Sequence, residues 1–225
     1  MVAHVQTKST IGGSGTTIAV TITSTPGNTL VLVTAAFSTT NTAFHVSSIS
    51  DTHNTWQFST ANSNQNPPVG QSFDGDILGL SLIGAVINAA GVTSVTVTYS
   101  KSLDYIDAAV YEFSGVPGNA QLITAASSST NLSGTSAATP SVTVPASASL
   151  AAALITNDGA TITGVSGGWT LDGGSDNFAA WQVAPAPGSL AATFSGGSQN
   201  WPSSAIAVIG PPPATAPGLV KVGIV

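Results

Sequence analysis

The stretch SISDTHNTWQF, residues 48–58, places Asp51, His53 and Trp56 within six positions of a chain with few ionisable side chains. An aspartate and a histidine could act as the acid and base of a catalytic triad, but the base must also face a nucleophile. Neighbours on one tight turn rarely converge in that way. We expect a chain reversal instead, because an aspartate can accept hydrogen bonds from backbone N–H groups two or three residues on. In this interpretation Asn54, which tolerates left-handed backbone angles, helps to make the reversal, and Trp56 turns its ring into the core.

Two loops carry carboxylates around glycines, as a calcium site would require. They are FDGDI and LDGGSDN, and their candidate ligands are Asp74, Asp76, Asp172, Asp176 and Asn177. Neither loop has the full EF-hand pattern, and Asp-Gly pairs are common in turns for conformational reasons, so we favour turns over calcium sites. The histidines, His4, His45 and His53, lack zinc-site spacing and there is no cysteine. We predict no metal and no cofactor.

Glu112 is the only glutamate and lies inside an apolar segment. A glycosidase would need a second carboxylate facing it across a cleft, and Asp104 and Asp107 are the nearest in sequence. Side-chain alternation places Glu112 on the opposite side of the strand from Tyr111 and Phe113, so we expect it to point outward. We predict no catalytic residue and no enzyme.

Exposed aromatic rings could form a carbohydrate-stacking platform. Trp56, Trp169 and Trp181 lie in contexts typical of a core. Trp201, between SQN and Pro202, is the tryptophan we expect to be exposed. One exposed ring is weak evidence for a sugar site.

The elements that would position these residues are strands. Thr16–Thr23 and Val92–Ser100 alternate with the period of two that half-buried strands show. Asn28–Phe37 and Ser149–Thr156 are continuous apolar runs, as expected for strands buried on both faces. Ile77–Ala90 comes nearest to a helix, but its glycines and β-branched residues favour a strand. We predict an all-β fold.

The order of these segments repeats weakly along the chain. Trp56 corresponds to Trp169, and the closing strand Ile106–Phe113 corresponds to Ser204–Ile209. With four or five short strands, neither half would cover both faces of a sheet, so we predict a single jelly-roll-like sandwich over residues 1–209, of about eight to ten strands. Residues 126–141 are a Ser/Thr-rich connection for which a sheet edge is one possible position.

Composition narrows the possible partners. Only 5% of residues are charged, the net charge is −6, and three lysines without arginine cannot neutralise phosphates, so nucleic acid is excluded. No apolar run approaches the ~20 residues of a membrane helix, so we expect no membrane partner. With 42% hydrophobic residues the chain should fold, and without cysteine it must do so by packing alone. The first ten residues lack signal-peptide character, so we expect another route out of the cell.

Residues 210–225 differ from the rest of the chain. Three prolines lead into the strand-like LVKVGIV. We predict an arm that docks on a neighbouring subunit or particle by strand addition. The predicted interaction residues are Pro211, Pro212, Pro213, Leu219, Val220, Val222 and Ile224, with Trp201.

The motifs GNTLVLV, VSSISDTHNTW, VTVTYS and AAVYEFSGV, followed by GGWTL, AAWQVAP and AIAVIG, resemble a widespread set of β-sandwich proteins of phage virions and bacterial surfaces. The resemblance spans residues 26–209. This chain has His53 where the family's turn commonly has glycine. The resemblance implies a jelly-roll-like or immunoglobulin-like sandwich with a structural or adhesive role, and no catalytic residue.

Together these features favour a structural virion protein at the virion surface, most simply a phage capsid decoration protein. Its expected partners are other virion proteins and copies of itself. The alternatives are a tail or fibre component, and a cell-surface adhesin or carbohydrate-binding module.

Overall fold

The computed structural model describes residues 1–38, 44–58, 78–87, 91–128, 132–156, 161–172, 178–201 and 203–212. The described residues form strands and no helix, which confirms the predicted all-β fold. Among these residues there is accordingly no helix that is long and apolar enough to cross a membrane. The strands are β1 (Ala3–Thr21), β2 (Thr29–Ser38), β3 (Val46–Ser50), β4 (Gln57–Phe58), β5 (Leu78–Ile87), β6 (Ser94–Ser114), β7 (Gln121–Ser128), β8 (Leu132–Ala138), β9 (Val142–Val144), β10 (Leu150–Thr156), β11 (Ile162–Val165), β12 (Thr170–Leu171), β13 (Ala179–Val183), β14 (Gly188–Leu190), β15 (Thr193–Trp201) and β16 (Ser203–Gly210).

The first half of the chain, β1–β6, forms a sheet that bends into two layers. Its larger layer has the order β1-β6-β2-β5-β4, and β3 pairs with β6 off this path. β1 and β6, with 19 and 21 residues, run through both layers. The bend in β1 coincides with register shifts between Thr10 and Thr17. Gly12 and Gly15 lie within it at φ angles of 71° and 107°, which other residues rarely adopt.

The second half, β7–β16, repeats this scheme with separate strands. Its larger sheet has the order β12-β13-β10-β16-β7, and a smaller sheet has the order β11-β15-β8. In the second half β10 lies between β13 and β16, just as β2 lies between β5 and β6 in the first. The edge strand β7 pairs with β16, just as the start of β1 pairs with the end of β6. β9 and β14 form an additional antiparallel pair. The predicted similarity of the two halves is therefore present in their strand pairing.

The repeat extends to individual side chains. The Ser24 N–H donates to the Val92 carbonyl at 3.1 Å, and the Val92 N–H donates back to the Ser24 hydroxyl at 3.0 Å. Thr139 and Ala192 make the same two bonds, at 2.8 and 3.0 Å, at the corresponding place in the second half. A buried hydroxyl thus completes the strand pairing at the same point in both halves.

The two larger sheets pack face to face. β2 contacts β10, β5 contacts β10 and β16, and both β4 and β5 contact β7. Alternate residues of β2 face different cores: Leu30 and Leu32 lie in the core of the first half, whereas Val31 and Val33 belong to the core that continues into the second half. β2 is therefore buried on both faces, as its apolar run predicted. β2 therefore meets its own counterpart β10 across this contact.

The expected eight to ten strands are an underestimate, since the described residues form sixteen. Strand segments that the sequence did not predict are rich in polar and small residues. Examples are Ala3–Gly15 and much of residues 121–138. These segments pair as edges, where the backbone supplies the bonds and only one face needs apolar cover. β7 and β8, which include most of the Ser/Thr-rich connection, do lie at sheet edges.

Candidate functional site

The candidate attachment site is the place where the chain leaves β16. Gly210 is the last residue of β16 and pairs with Gln121 of β7. A Cβ atom at Gly210 would lie 2.6 Å from the Ser147 carbonyl oxygen and 3.0 Å from Ile123 Cδ1, so no larger residue fits there without a shift. The Ser147 hydroxyl donates to the Pro211 carbonyl at 3.4 Å. The chain is therefore held up to Pro211.

Beyond this anchor, Pro212 is exposed. Of the predicted interaction residues, Pro213, Leu219, Val220, Val222 and Ile224 lie outside the described part of the chain. Consecutive prolines fix φ near −65° and favour an extended conformation without internal hydrogen bonds. Because the chain is held at Gly210 and Pro211 and prolines follow, less entropy is lost when the next segment binds a partner.

The Asp51 turn has the geometry of a corner. Asp51 Oδ1 accepts the backbone N–H groups of His53 and Asn54, both at 2.7 Å, which confirms the predicted bonding. Oδ2 accepts Asn54 Nδ2 at 3.0 Å and the Trp56 indole N–H at 2.8 Å. Burial raises the pKa of Asp51, but these hydrogen bonds outweigh it and bring the pKa below its usual value. One carboxylate thus fixes both the turn and the inward orientation of Trp56.

Asn54 contributes to the corner through its side chain and not through its backbone angles. Asn54 does not take left-handed angles, since Ala184 is the only non-glycine residue of the described ranges with a positive φ. The Asn54 side chain contributes by binding Asp51 instead. The indole bond, which sequence reasoning missed, explains why the aspartate precedes the tryptophan by five residues.

The prediction that Glu112 points outward is wrong. Its side chain has no exposed surface. Oε1 accepts the Thr25 N–H at 2.8 Å and Asn28 Nδ2 at 2.7 Å, and Oε2 accepts Gln6 Nε2. Alternation did place Glu112 opposite Tyr111, but that side of β6 is the interior of the first half and the turn at residues 25–28 covers it.

The electrostatics of Glu112 indicate a structural role. Burial raises its pKa, but hydrogen bonds from Gln6, Thr25 and Asn28 outweigh burial and lower the pKa below its usual value. The ionised carboxylate therefore joins the start of β1 and the turn before β2 to β6. Because the folded-state pKa is depressed, this stabilisation is present above the unfolded pKa and is lost as pH falls through the folded value.

Glu112 does not form a glycosidase pair with either neighbouring aspartate. Asp107 lies on the other face of β6, where its Oδ1 accepts the Gly12 N–H at 2.8 Å. Asp104 is eight residues away, about 26 Å along an extended strand, whereas glycosidase carboxyl groups lie about 5–10 Å apart.

The predicted exposure of Trp201 is also wrong. Trp201 is 1% exposed, and its indole N–H donates to the Gly134 carbonyl at 3.2 Å. The register of β15 against β8 shifts between Ser195 and Gln199. This irregularity changes which residues face inward, so that Phe194 before it and Trp201 after it both lie in the core.

The remaining candidates are dispersed. Trp56 and Trp169 are buried as predicted, and Trp181 is half-buried against the core. The His45 backbone N–H donates to the Ser100 hydroxyl at 3.0 Å. No group of three or more His, Asp or Glu side chains that could hold a metal occurs in the described ranges. Most of the two Asp-Gly loops falls outside those ranges, including Asp74, Asp76, Asp176 and Asn177.

Comparison with protein-family models, with curated proteins and with solved structures gives no match. Function is therefore inferred from the residues and geometry of this chain.

Proposed function

We propose that this chain is a structural virion protein, a decoration or surface protein of a phage capsid, that attaches through its C-terminal segment. The observation that carries the proposal is the anchored chain exit at Gly210 and Pro211, followed by prolines and the apolar sequence LVKVGIV. Apolar, β-branched residues after a stiff spacer suit strand addition to a partner's sheet.

The outer surface of the first half supports close packing of copies. On its smaller layer, Thr17 and Ser48 flank Thr98 in one row, and the next row holds Ala19, Thr96 and Ser50. These side chains are short and uncharged. A surface with little charge lets subunits approach without mutual repulsion.

Among the alternatives, a tail or fibre component would use the same attachment. A carbohydrate-binding adhesin is less well supported, because Trp56, Trp169 and Trp201 are buried and unavailable for stacking on a sugar.

Removal of residues 213–225 tests the attachment. We expect the shortened protein to keep its melting temperature within about 2 °C, because its anchor at Gly210 and Pro211 remains. Sedimentation velocity should show assembly of the full chain and a monomer for the shortened one.

A full-length control carries serine at Leu219, Val220, Val222 and Ile224. It should sediment like the shortened protein if the apolar side chains, and not chain length, make the contact. Normal assembly of either variant would refute the docking role. Unfolding of the shortened protein would assign the segment to the protein's own sheet.

A further inference from the structure

The start of β1 crosses the boundary between the two halves. The His4 ring stacks on Trp181 of β13 with centroids 4.8 Å apart and planes at 16°. The same ring meets the edge of Phe113 at 5.5 Å, and Phe113 contacts Trp181 at 5.6 Å. Two rings from the first half therefore hold one ring from the second.

A bulge at Val5 produces this arrangement. The pairing of β1 with β6 shifts between His4 and Gln6, and Val5 is left 47% exposed. Without the shift, His4 and Gln6 would point to the same side of the strand. With it, His4 faces the second half, whereas Gln6 faces Glu112 in the core of the first half.

Further contacts hold the first residues of the chain in place. Val2 packs against the core shared by the two halves. The Met1 carbonyl oxygen lies 2.3 Å from where a Cβ atom at Gly115 would be, so Met1 fits closely against the residue that follows β6. His4 Nε2 is 2.8 Å from the Thr7 hydroxyl.

We propose that residues 1–7 form an acid-releasable strap, in which neutral His4 fastens the start of β1 to the second half and protonated His4 releases it. Release leaves the β6 backbone at residues 111–114 without its partner on that side, which exposes a new sheet edge.

The surroundings of His4 favour its neutral form. The titratable groups on β6 next to it are Tyr111, whose hydroxyl donates to Asp172 at 3.5 Å, and Glu112, whose carboxylate faces the other side of the sheet. β13 carries no titratable residue. Burial lowers the pKa of His4, and a hydrogen bond with the Gln6 backbone opposes this in part.

The sign of the pH effect follows from linkage. Because the pKa of His4 is lower in the folded state, the strap contributes stability above about pH 6.5, and this is lost as pH falls through the folded value. A protonated His4 ring stacked on the Trp181 indole would also gain a cation–π attraction, which would favour the attached strap at low pH. Experiment can therefore separate the two effects.

The test is hydrogen exchange of the peptide covering residues 1–8 in the full chain at pH 7.5 and pH 5.0, corrected for intrinsic rates. We expect protection to fall about tenfold for each unit by which the pKa is lowered, once pH is below the folded value. His4→Phe, which keeps an aromatic ring without the charge, should show no such change. His4→Gln should be unprotected at both pH values.

The exposed His53 provides a matched control, since His53→Gln should behave like the wild type. Protection that is unchanged or that increases at pH 5.0 would overturn the proposal. The same pH response in His4→Phe would also overturn it.

Discussion

Replacing Val33 by aspartate is expected to lower the melting temperature by about 8–16 °C or more. Val33 has no exposed surface and lies between the two larger sheets. Burial would raise the pKa of a carboxyl group at this position by several units, and each unit corresponds to about 1.4 kcal/mol of lost stability. The packing of the valine side chain is lost as well. The expected loss of about 4 kcal/mol or more is a large part of the 5–15 kcal/mol typical of a folded protein.

The control for this variant is Val5→Asp. Val5 is 47% exposed at the bulge of β1, so the same substitution should change stability by about 0.5 kcal/mol or less. Thermal unfolding of both variants by circular dichroism measures the difference. Similar melting temperatures for the two variants would mean that the larger sheets are not in contact.

Replacing Trp201 by alanine is expected to cost about 3–5 kcal/mol, because it removes a buried indole and leaves a cavity. Trp201→Phe should cost less, since a ring still fills most of the space and only the bond to the Gly134 carbonyl is lost. Urea unfolding gives both values. If Trp201 were exposed, Trp201→Ala would change the free energy of unfolding very little. That result would support the exposed position that the sequence predicted for Trp201.

The parts of the fold that sequence predicted correctly are those with a strong local pattern. Asn28–Phe37 and Ser149–Thr156 are mainly apolar because the strands within them, β2 and β10, are buried on both faces. The pairing of Asp51 with the N–H groups of His53 and Asn54 was also predictable, since it involves residues within one turn.

The parts that sequence could not predict depend on distant segments. Alternation fixes the side of β6 on which Glu112 lies, but only the fold shows that the turn before β2 covers that side. Likewise, the inward position of Trp201 depends on an irregularity between Ser195 and Gln199 that arises from pairing with β8. At the candidate attachment site, proline content predicted an arm, whereas the tight fit of Gly210 against Ser147 depends on the tertiary structure.

The central claim about this molecule is that its two similar halves form one body through their larger sheets. Trp56 lies in the core of the first half, and Trp169 of the second half lies in the core that the two halves share, so the two rings report on different cores. Two variants are compared, in which all tryptophans except Trp56 or all except Trp169 are replaced by phenylalanine, and their fluorescence is followed during urea unfolding. We predict one transition in each variant, with the fluorescence midpoint equal to the midpoint that far-UV circular dichroism gives for the same variant. Separate midpoints, with one half folded while the other is unfolded, would contradict the claim.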